Sequence, residues 1–261
     1  FTDHDVDARV VNIDDAMGRQ LAQEIGGVLT VGRDANAVVR ALDEMAGPVS
    51  TELTLSGPWG DERLVLPLAG RYNVENALVA AGCATALGIG IDRVVAGLSS
   101  APQVPGRLER IEEGQAFAVF VDYAHTPDSL GKAIEAVRAV TEGRVIVVFG
   151  CGGDRDSDKR PLMGAAAARH ADLVIVTSDN PRSEDPVGII LEIEDALREV
   201  SAAYDVEVDR RTAIRAALAA AGSSDAVLIA GKGHEDYQIF SDRTVHFDDR
   251  EVAREELKAL C

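Results

Sequence analysis

Asp179-Asn180-Pro181-Arg182 brings a carboxylate, a primary amide and a guanidinium into four consecutive residues, a set able to meet both charges of one small ligand. It follows Leu173-Val174-Ile175-Val176-Thr177, a short run rich in β-branched residues that predicts a strand. In open α/β sheets ligands gather beyond the carboxyl ends of such strands. Two further junctions repeat the arrangement. Gly150-Cys151-Gly152-Gly153-Asp154-Arg155 follows the apolar run Val145 to Phe149, and Gly231-Lys232-Gly233-His234-Glu235-Asp236-Tyr237 follows Val227 to Ala230. Arg155, Arg182 and Asn180 supply planar donors suited to a carboxylate, which a guanidinium grips with two parallel hydrogen bonds. The three junctions together predict a pocket for a polar, doubly charged small molecule. Arg155 has an ordinary alternative role in a surface charge network with Asp154, Asp156 and Asp158.

Three more segments carry polar groups at element boundaries: Gly70-Arg71-Tyr72-Asn73-Val74-Glu75-Asn76-Ala77, Pro105-Gly106-Arg107-Leu108-Glu109, and Val121-Asp122-Tyr123-Ala124-His125-Thr126-Pro127-Asp128. Asn73 and Asn76 lie one turn apart at a predicted helix start, where asparagine commonly caps. An amide also matches the edge of a purine, with both donor and acceptor. Arg107 can pair with Glu109 or Glu112, a surface contact worth about 0 to 1 kcal/mol. Asp122 can accept ribose hydroxyls, while Tyr123 or His125 can flank a nucleotide; a lone histidine at a strand end also serves structure alone.

Taken in order from residue 70 to residue 237, the six segments resemble the Mur ligases, in particular the branch that adds meso-diaminopimelate. Arg182 stands where the lysine-adding branch usually has a different residue. The resemblance implies an ATP-dependent, Mg2+-requiring, cytoplasmic amide-bond-forming ligase of peptidoglycan precursor synthesis, taking UDP-MurNAc-L-Ala-D-Glu and meso-diaminopimelate. It places Asn73 and Asn76 near adenine, Arg107 near the phosphates, and Asp122, Tyr123 and His125 along the nucleotide. Arg155, Asp179, Asn180, Pro181 and Arg182 would hold diaminopimelate, with Glu235 pairing its distal ammonium and the Gly231 carbonyl accepting another proton. No Gly-x-x-x-x-Gly-Lys-Ser/Thr pattern occurs in the 261 residues. The phosphate-binding loop, the magnesium-binding glutamate, a histidine and a carbamylated lysine are therefore expected upstream of Phe1, so no catalytic or metal-binding residue is assigned within the chain and the chain alone is expected to be inactive. Two other readings are a folylpolyglutamate synthase-like ligase, whose pocket would hold glutamate, and a catalytically silent amino-acid-binding module.

Composition limits the alternatives. Hydrophobic residues make up 46% and charged residues 27%, ordinary for a globular protein and unlike a disordered one. The 44 acidic and 26 basic side chains give a formal charge of -18, which argues against a nucleic-acid partner. Any anionic ligand must then be held by a local basic group, and Arg155, Lys159 and Arg160 are the nearest such cluster in sequence. The three cysteines have neither zinc-ligand nor disulfide-framework spacing. No apolar run reaches the roughly 18 to 20 residues of a membrane span, so no membrane partner is expected. Phe1 in place of Met leads to the expectation that the chain begins inside a larger protein.

The elements that must position these residues are legible in outline. Residues 8–13 read as a strand, Asp14 or Asp15 can cap a helix through Ile25, and alternation on either side of Gly57-Pro58-Trp59-Gly60 predicts a hairpin. Asn73 to Leu87 reads as a helix ended by Gly88. Pro102, Pro105 and Gly106 mark a change of character. Residues 1–105 are expected to be the C-terminal part of a central ATP-binding α/β domain, and residues 106–261 a Rossmann-like amino-acid-binding domain. Beyond that point short apolar runs at 117–121, 145–149, 173–177 and 227–230 alternate with helical periodicity at 127–141, 159–170, 186–200 and 211–222. Such alternation predicts a mainly parallel sheet covered on both faces. No Gly-x-Gly-x-x-Gly turn supports a dinucleotide site.

Overall fold

The computed structural model of the chain describes residues 6–200 and 203–260. The chain divides into two compact units, Phe1–Gln103 and Val104–Cys261. In the first, strands β1 (Val10–Asn12), β2 (Leu29–Gly32), β3 (Val39–Ala46), β4 (Thr51–Gly57) and β5 (Gly60–Leu66) lie side by side in that order. The first three are parallel, and β4 and β5 add antiparallel. Helices α1 (Ala16–Ile25), α2 (Arg71–Ala86) and α3 (Ile91–Ser99) complete this unit. Asp15 caps α1: its carboxylate accepts the Gly18 N–H at 2.7 Å, satisfying one of the free donors of the first turn. The hairpin read from the sequence is β4–β5, paired from Thr51 opposite Leu66 to Gly57 opposite Gly60. Its alternation turns Leu53, Leu55, Leu64 and Leu66 toward Val74, Leu78 and Ala81 of α2. Strands β2 and β3 and helix α3 escaped the sequence reading. β3 is largely exposed over its second half, and its register shifts between Leu42 and Met45, where Asp43 takes φ 52°; a bulge breaks the period of two.

The second unit contains β6 (Glu109–Arg110), β7 (Ala118–Asp122), α4 (Pro127–Arg138), β8 (Val145–Phe149), α5 (Lys159–His170), β9 (Leu173–Val176), α6 (Pro186–Glu199), β10 (Tyr204–Val206), α7 (Arg210–Ala220), β11 (Ala226–Ala230), β12 (Tyr237–Ile239), β13 (Thr244–His246) and α8 (Asp249–Leu260). Its main sheet has the order β10-β9-β8-β11-β7-β6, parallel throughout except where β6 meets β7. The four apolar runs become β7, β8, β9 and β11. They are continuous and not alternating because β8 and β11 are buried along their whole length, as a parallel sheet covered on both faces requires. One core packs Val119, Val121, Ile146, Val148, Val227 and Ile229 of the sheet against Ala213, Ile214, Ala217 and Leu218 of α7 and Val252, Ala253 and Leu257 of α8. Helices α4, α5 and α6 pack on one another as a separate layer. A short antiparallel pair, β12 with β13, stands apart from the main sheet.

This topology decides where chemistry can occur. Since β9, β8, β11 and β7 are neighbours and parallel, the segments that follow them emerge side by side at one end of the sheet. Those segments begin at Thr177, Gly150, Gly231 and Tyr123. No helix among the described residues is long and apolar enough to cross a membrane. Cys83 is exposed and Cys151 buried, both as free thiols. Burial pushes the Cys151 thiol up to about 12, which leaves it unreactive at neutral pH.

Candidate functional site

The loops after β8, β9 and β11 meet in the second unit. Arg182 lies in the left-handed region at φ 54°, a conformation that a non-glycine residue adopts only when its surroundings hold it. Here its N–H donates to the Ile239 carbonyl at 3.0 Å and its Nη1 to the Gly153 carbonyl at 2.8 Å. Among the described residues its Nε and Nη2 make no hydrogen bond and stay available to a ligand. A methyl group on Gly152 would lie 2.8 Å from Arg182 Nη1 and 3.9 Å from Arg155 Cγ, so the two arginines flank one glycine. Arg155 is exposed, and its Nη1 donates to the Asp154 carbonyl at 3.1 Å.

Asn180 is turned inward. Its Oδ1 accepts the Ile239 N–H at 3.0 Å, and its Nδ2 donates to Glu235 Oε2 at 3.1 Å. The Asp179 carbonyl accepts Gln238 Nε2 at 2.7 Å. Strand β12 thus clamps the loop through Gln238 and Ile239, which bond to Asp179, Asn180 and Arg182. Pro181 is buried within that loop. Gly231, at φ 115°, brings its backbone so close to Asp179 that a Cβ would stand 2.9 Å from Oδ2. Glu235 is joined to the β7 end as well, since Tyr123 donates its hydroxyl to Oε1 at 3.5 Å.

Around Tyr123 the second cluster forms. The Arg107 guanidinium lies 4.7 Å from the centre of the Tyr123 ring, a cation–π distance. His125 meets the same ring edge-on at 4.6 Å and His234 approaches at 5.4 Å. The pairing of Arg107 with Glu109 or Glu112 does not form, because Glu109 faces Arg250 and Arg254 while Glu112 faces Arg110. Asp122 is 7% exposed; its two oxygens accept the Leu108 N–H at 2.7 Å and the Ala124 N–H at 2.8 Å. Burial pushes its carboxyl up from the usual range, against the pull of those N–H groups and of Arg107. Gly106 and Gly233 pack backbone on backbone: a Cβ on Gly106 would meet the Gly233 carbonyl carbon at 2.2 Å, so only glycine permits the contact. In the first unit, Asn73 is buried, with Nδ2 donating to the Ala69 carbonyl at 2.7 Å, and Asn76 is exposed, with Nδ2 donating to Asn73 Oδ1 at 3.4 Å.

The basic cluster expected from Arg155, Lys159 and Arg160 does not form. Arg160 is 1% exposed and donates to Glu184 at 2.9 Å and to Glu192 at 3.0 Å, and Lys159 donates to the His125 carbonyl. An arginine at the head of a helix reads as surface, but this one points inward to two acidic partners. Lys232, whose amine the sequence brings to the third junction without a role of its own, is fully buried. Its Nζ lies 3.8 Å from Asp179 Oδ1, 3.6 Å from Glu235 Oε2 and 3.4 Å from Asn180 Oδ1. Arg210 and Asp249 form a wholly buried bidentate pair at 2.8 and 2.7 Å, from which Arg210 Nη2 also donates to the Ala230 carbonyl at the end of β11. Burial opposes the Arg210 charge, but Asp249 outweighs it and raises the guanidinium above its ordinary value. No cluster of three or more His, Cys, Asp or Glu suited to a metal ion occurs among the described residues.

A covered parallel sheet with guanidinium, amide and carboxylate groups gathered at its carboxyl ends defines an α/β protein with a polar, charged cluster where such sheets take their ligands. Comparison with known proteins takes this further: residues 106–233 match the family described as "Mur ligase, glutamate ligase domain", and residues 1–84 match "Mur ligase middle domain". The chain belongs to the Mur ligase family. It is 48% identical over 249 residues to the UDP-N-acetylmuramoyl-L-alanyl-D-glutamate--2,6-diaminopimelate ligase of Gloeobacter violaceus, covering 95% of this chain and 51% of that protein. The Streptomyces coelicolor protein of the same name is 46% identical, with the same coverage. A solved structure of a ligase of that name superposes with a TM-score of 0.70 at 34% identity, over 96% of this chain and 53% of the other. The chain spans about half the length of these relatives. Folylpolyglutamate synthase of Mycobacterium tuberculosis shares the fold, at a TM-score of 0.66 and 23% identity over 86% of this chain and 54% of its own.

Proposed function

We propose that the chain is part of an ATP-dependent ligase that joins meso-diaminopimelate to UDP-MurNAc-L-Ala-D-Glu in peptidoglycan precursor synthesis, acting in the cytoplasm. The observation that carries this reading is the junction of the Asp179 to Arg182 loop with Glu235 through the 3.1 Å Asn180 contact, in a chain whose relatives bear that ligase name over 95% of its length. Meso-diaminopimelate presents a carboxylate and an ammonium at its far end. The free Nε and Nη2 of Arg182, with Arg155 beside it, match the carboxylate; Glu235 matches the ammonium, with the Gly231 carbonyl as a further acceptor. A pocket for glutamate, as a folylpolyglutamate synthase would need, gives Glu235 no cationic partner at that end.

For the nucleotide we assign, within the second unit, Arg107 to the phosphates, the Tyr123 and His125 rings to its flank and Asp122 to the ribose. ATP supplies a phosphoryl group to the free side-chain carboxylate of D-glutamate, which turns a poor leaving group into a good one. An amino group of diaminopimelate then displaces phosphate to form the amide. The role of the second unit is to hold the amino acid by its distal end so that its other amine is presented. We assign Mg2+, which the family reading calls for, to residues outside this chain. The test is phosphate release by the full-length protein with ATP, Mg2+ and UDP-MurNAc-L-Ala-D-Glu. Release that depends on added meso-diaminopimelate is expected, and release that glutamate supports equally well would overturn the reading.

A further inference from the structure

Lys232 has no part in the substrate contacts assigned so far, and its surroundings are unusual for a lysine. Its side chain is 0% exposed, where an ammonium is strongly disfavoured unless opposite charges and hydrogen bonds compensate. Three acceptors from two loops surround Nζ at similar distances, Asn180 Oδ1 at 3.4 Å, Glu235 Oε2 at 3.6 Å and Asp179 Oδ1 at 3.8 Å. None closes to the roughly 2.7 to 2.9 Å of a charge-assisted pair. A lysine that served one carboxylate as an ordinary ion pair would close on it; this one is shared. The Tyr237 ring, 5.4 Å away, covers it from β12.

The other charged groups facing this cluster are already committed. Arg210 reaches it from α7 but is bound at two points to Asp249 of α8. Tyr123 touches Glu235 from the β7 side. Lys232 is therefore what balances Asp179 and Glu235, whose side chains are 11% and 21% exposed. It also fixes the Asn180 amide: with Lys232 Nζ and the Ile239 N–H both directed at Oδ1, Nδ2 must face Glu235. Glu235 is thus held in place by Asn180, Lys232 and Tyr123 before any ligand arrives.

We propose that Lys232 is a positioning residue for amino-acid specificity: its buried ammonium holds Glu235 and Asn180, with Asp179 behind them, as a pre-formed acceptor set for the distal ammonium of the amino-acid substrate, without itself touching that substrate. The proposal rests on the ligase reading of the preceding subsection. Pre-organised partners of this kind matter because a binding group left to find its own orientation loses affinity.

The experiment uses the full-length enzyme with meso-diaminopimelate and with 2-aminopimelate, which keeps the distal carboxylate and lacks the distal ammonium. Lys232→Met should raise the KM for meso-diaminopimelate by roughly 10- to 100-fold, the range lost when the partner orienting a binding side chain is removed. The KM for ATP and the KM for 2-aminopimelate should stay within about twofold, and in a Glu235→Gln background the same change should add no more than about twofold. Lys232→Arg, which keeps the charge, should recover part of the loss. Equal rises for both amino acids, or an unchanged KM for meso-diaminopimelate, overturn the proposal. Should Lys232→Met fail to fold, Lys232→Gln carries the same comparison with the same two outcomes. A wild-type enzyme with no diaminopimelate-dependent phosphate release refutes the ligase reading instead, and does so before any variant is compared.

Discussion

Arg107 shows how a single side chain separates a binding role from a surface one. Its two sequence neighbours of opposite charge are occupied elsewhere, Glu109 by Arg250 and Arg254 and Glu112 by Arg110, and its guanidinium instead stacks on Tyr123. Held over a ring, a guanidinium keeps its edge donors free for phosphate oxygens. In the full-length enzyme Arg107→Ala should therefore raise the KM for ATP by roughly 10- to 100-fold, the loss of one charge-assisted contact; steady-state kinetics indistinguishable from wild type would return Arg107 to the surface. The exposed or half-buried polar residues of the site were readable from sequence because charged groups cluster visibly where an apolar run ends. Lys232 and Arg160 were not. A buried cation leaves no periodic signature, and its partners, such as Asp179 for Lys232 or Glu184 for Arg160, become neighbours only when separate loops are brought together.

Among the elements, β8 and β11 are tied at their amino ends by Asp225. Its carboxylate accepts the Gly222 N–H at 2.9 Å, the Arg144 N–H at 2.7 Å and the Arg144 guanidinium at 2.7 and 3.1 Å. Burial pushes this carboxyl up, but those hydrogen bonds and the Arg144 charge outweigh it and hold it at about 2. Because the folded value lies below the unfolded one, the contribution to stability is present above about pH 4 and is lost as the pH falls toward 2. Asp225→Asn should lower stability against urea at pH 7 by roughly 1 to 2 kcal/mol, after allowance for its contact with solvent. The gap from wild type should narrow as the pH falls from about 4 to about 2, and a gap of constant size across that range would contradict the assignment. Strands buried on both faces, such as β8 and β11, were legible as continuous apolar runs. β3, half exposed and bulged at Asp43, and β12, whose Gln238 and Ile239 work through amide and backbone contacts to the Asp179 to Arg182 loop, carry no such run. Helix α8 was hidden by its charges, although Val252, Ala253 and Leu257 close one side of the core.

At the scale of the whole molecule, the chain combines matches to a Mur ligase middle domain and a Mur ligase glutamate ligase domain with a net charge of -18. That field repels anionic ligands, so the doubly zwitterionic amino acid proposed as substrate would have to be selected by local contacts. On the proposed reading Arg182 is the residue on which that selection turns, and its left-handed backbone points to the variant to use. Arg182→Gly removes the guanidinium while permitting φ 54° without strain, so that loss of the side chain is separated from loss of the loop. The measurement is the ratio of kcat/KM for meso-diaminopimelate to that for lysine in the full-length enzyme, wild type against Arg182→Gly. Lysine has no distal carboxylate and should lose little, whereas meso-diaminopimelate would bring a carboxylate to a site without its partner, at a cost of roughly 3 kcal/mol or more. The account predicts that the ratio falls by two orders of magnitude or more; an unchanged ratio, with both substrates falling together, would contradict it and leave Arg182 a residue that holds its loop and reads nothing.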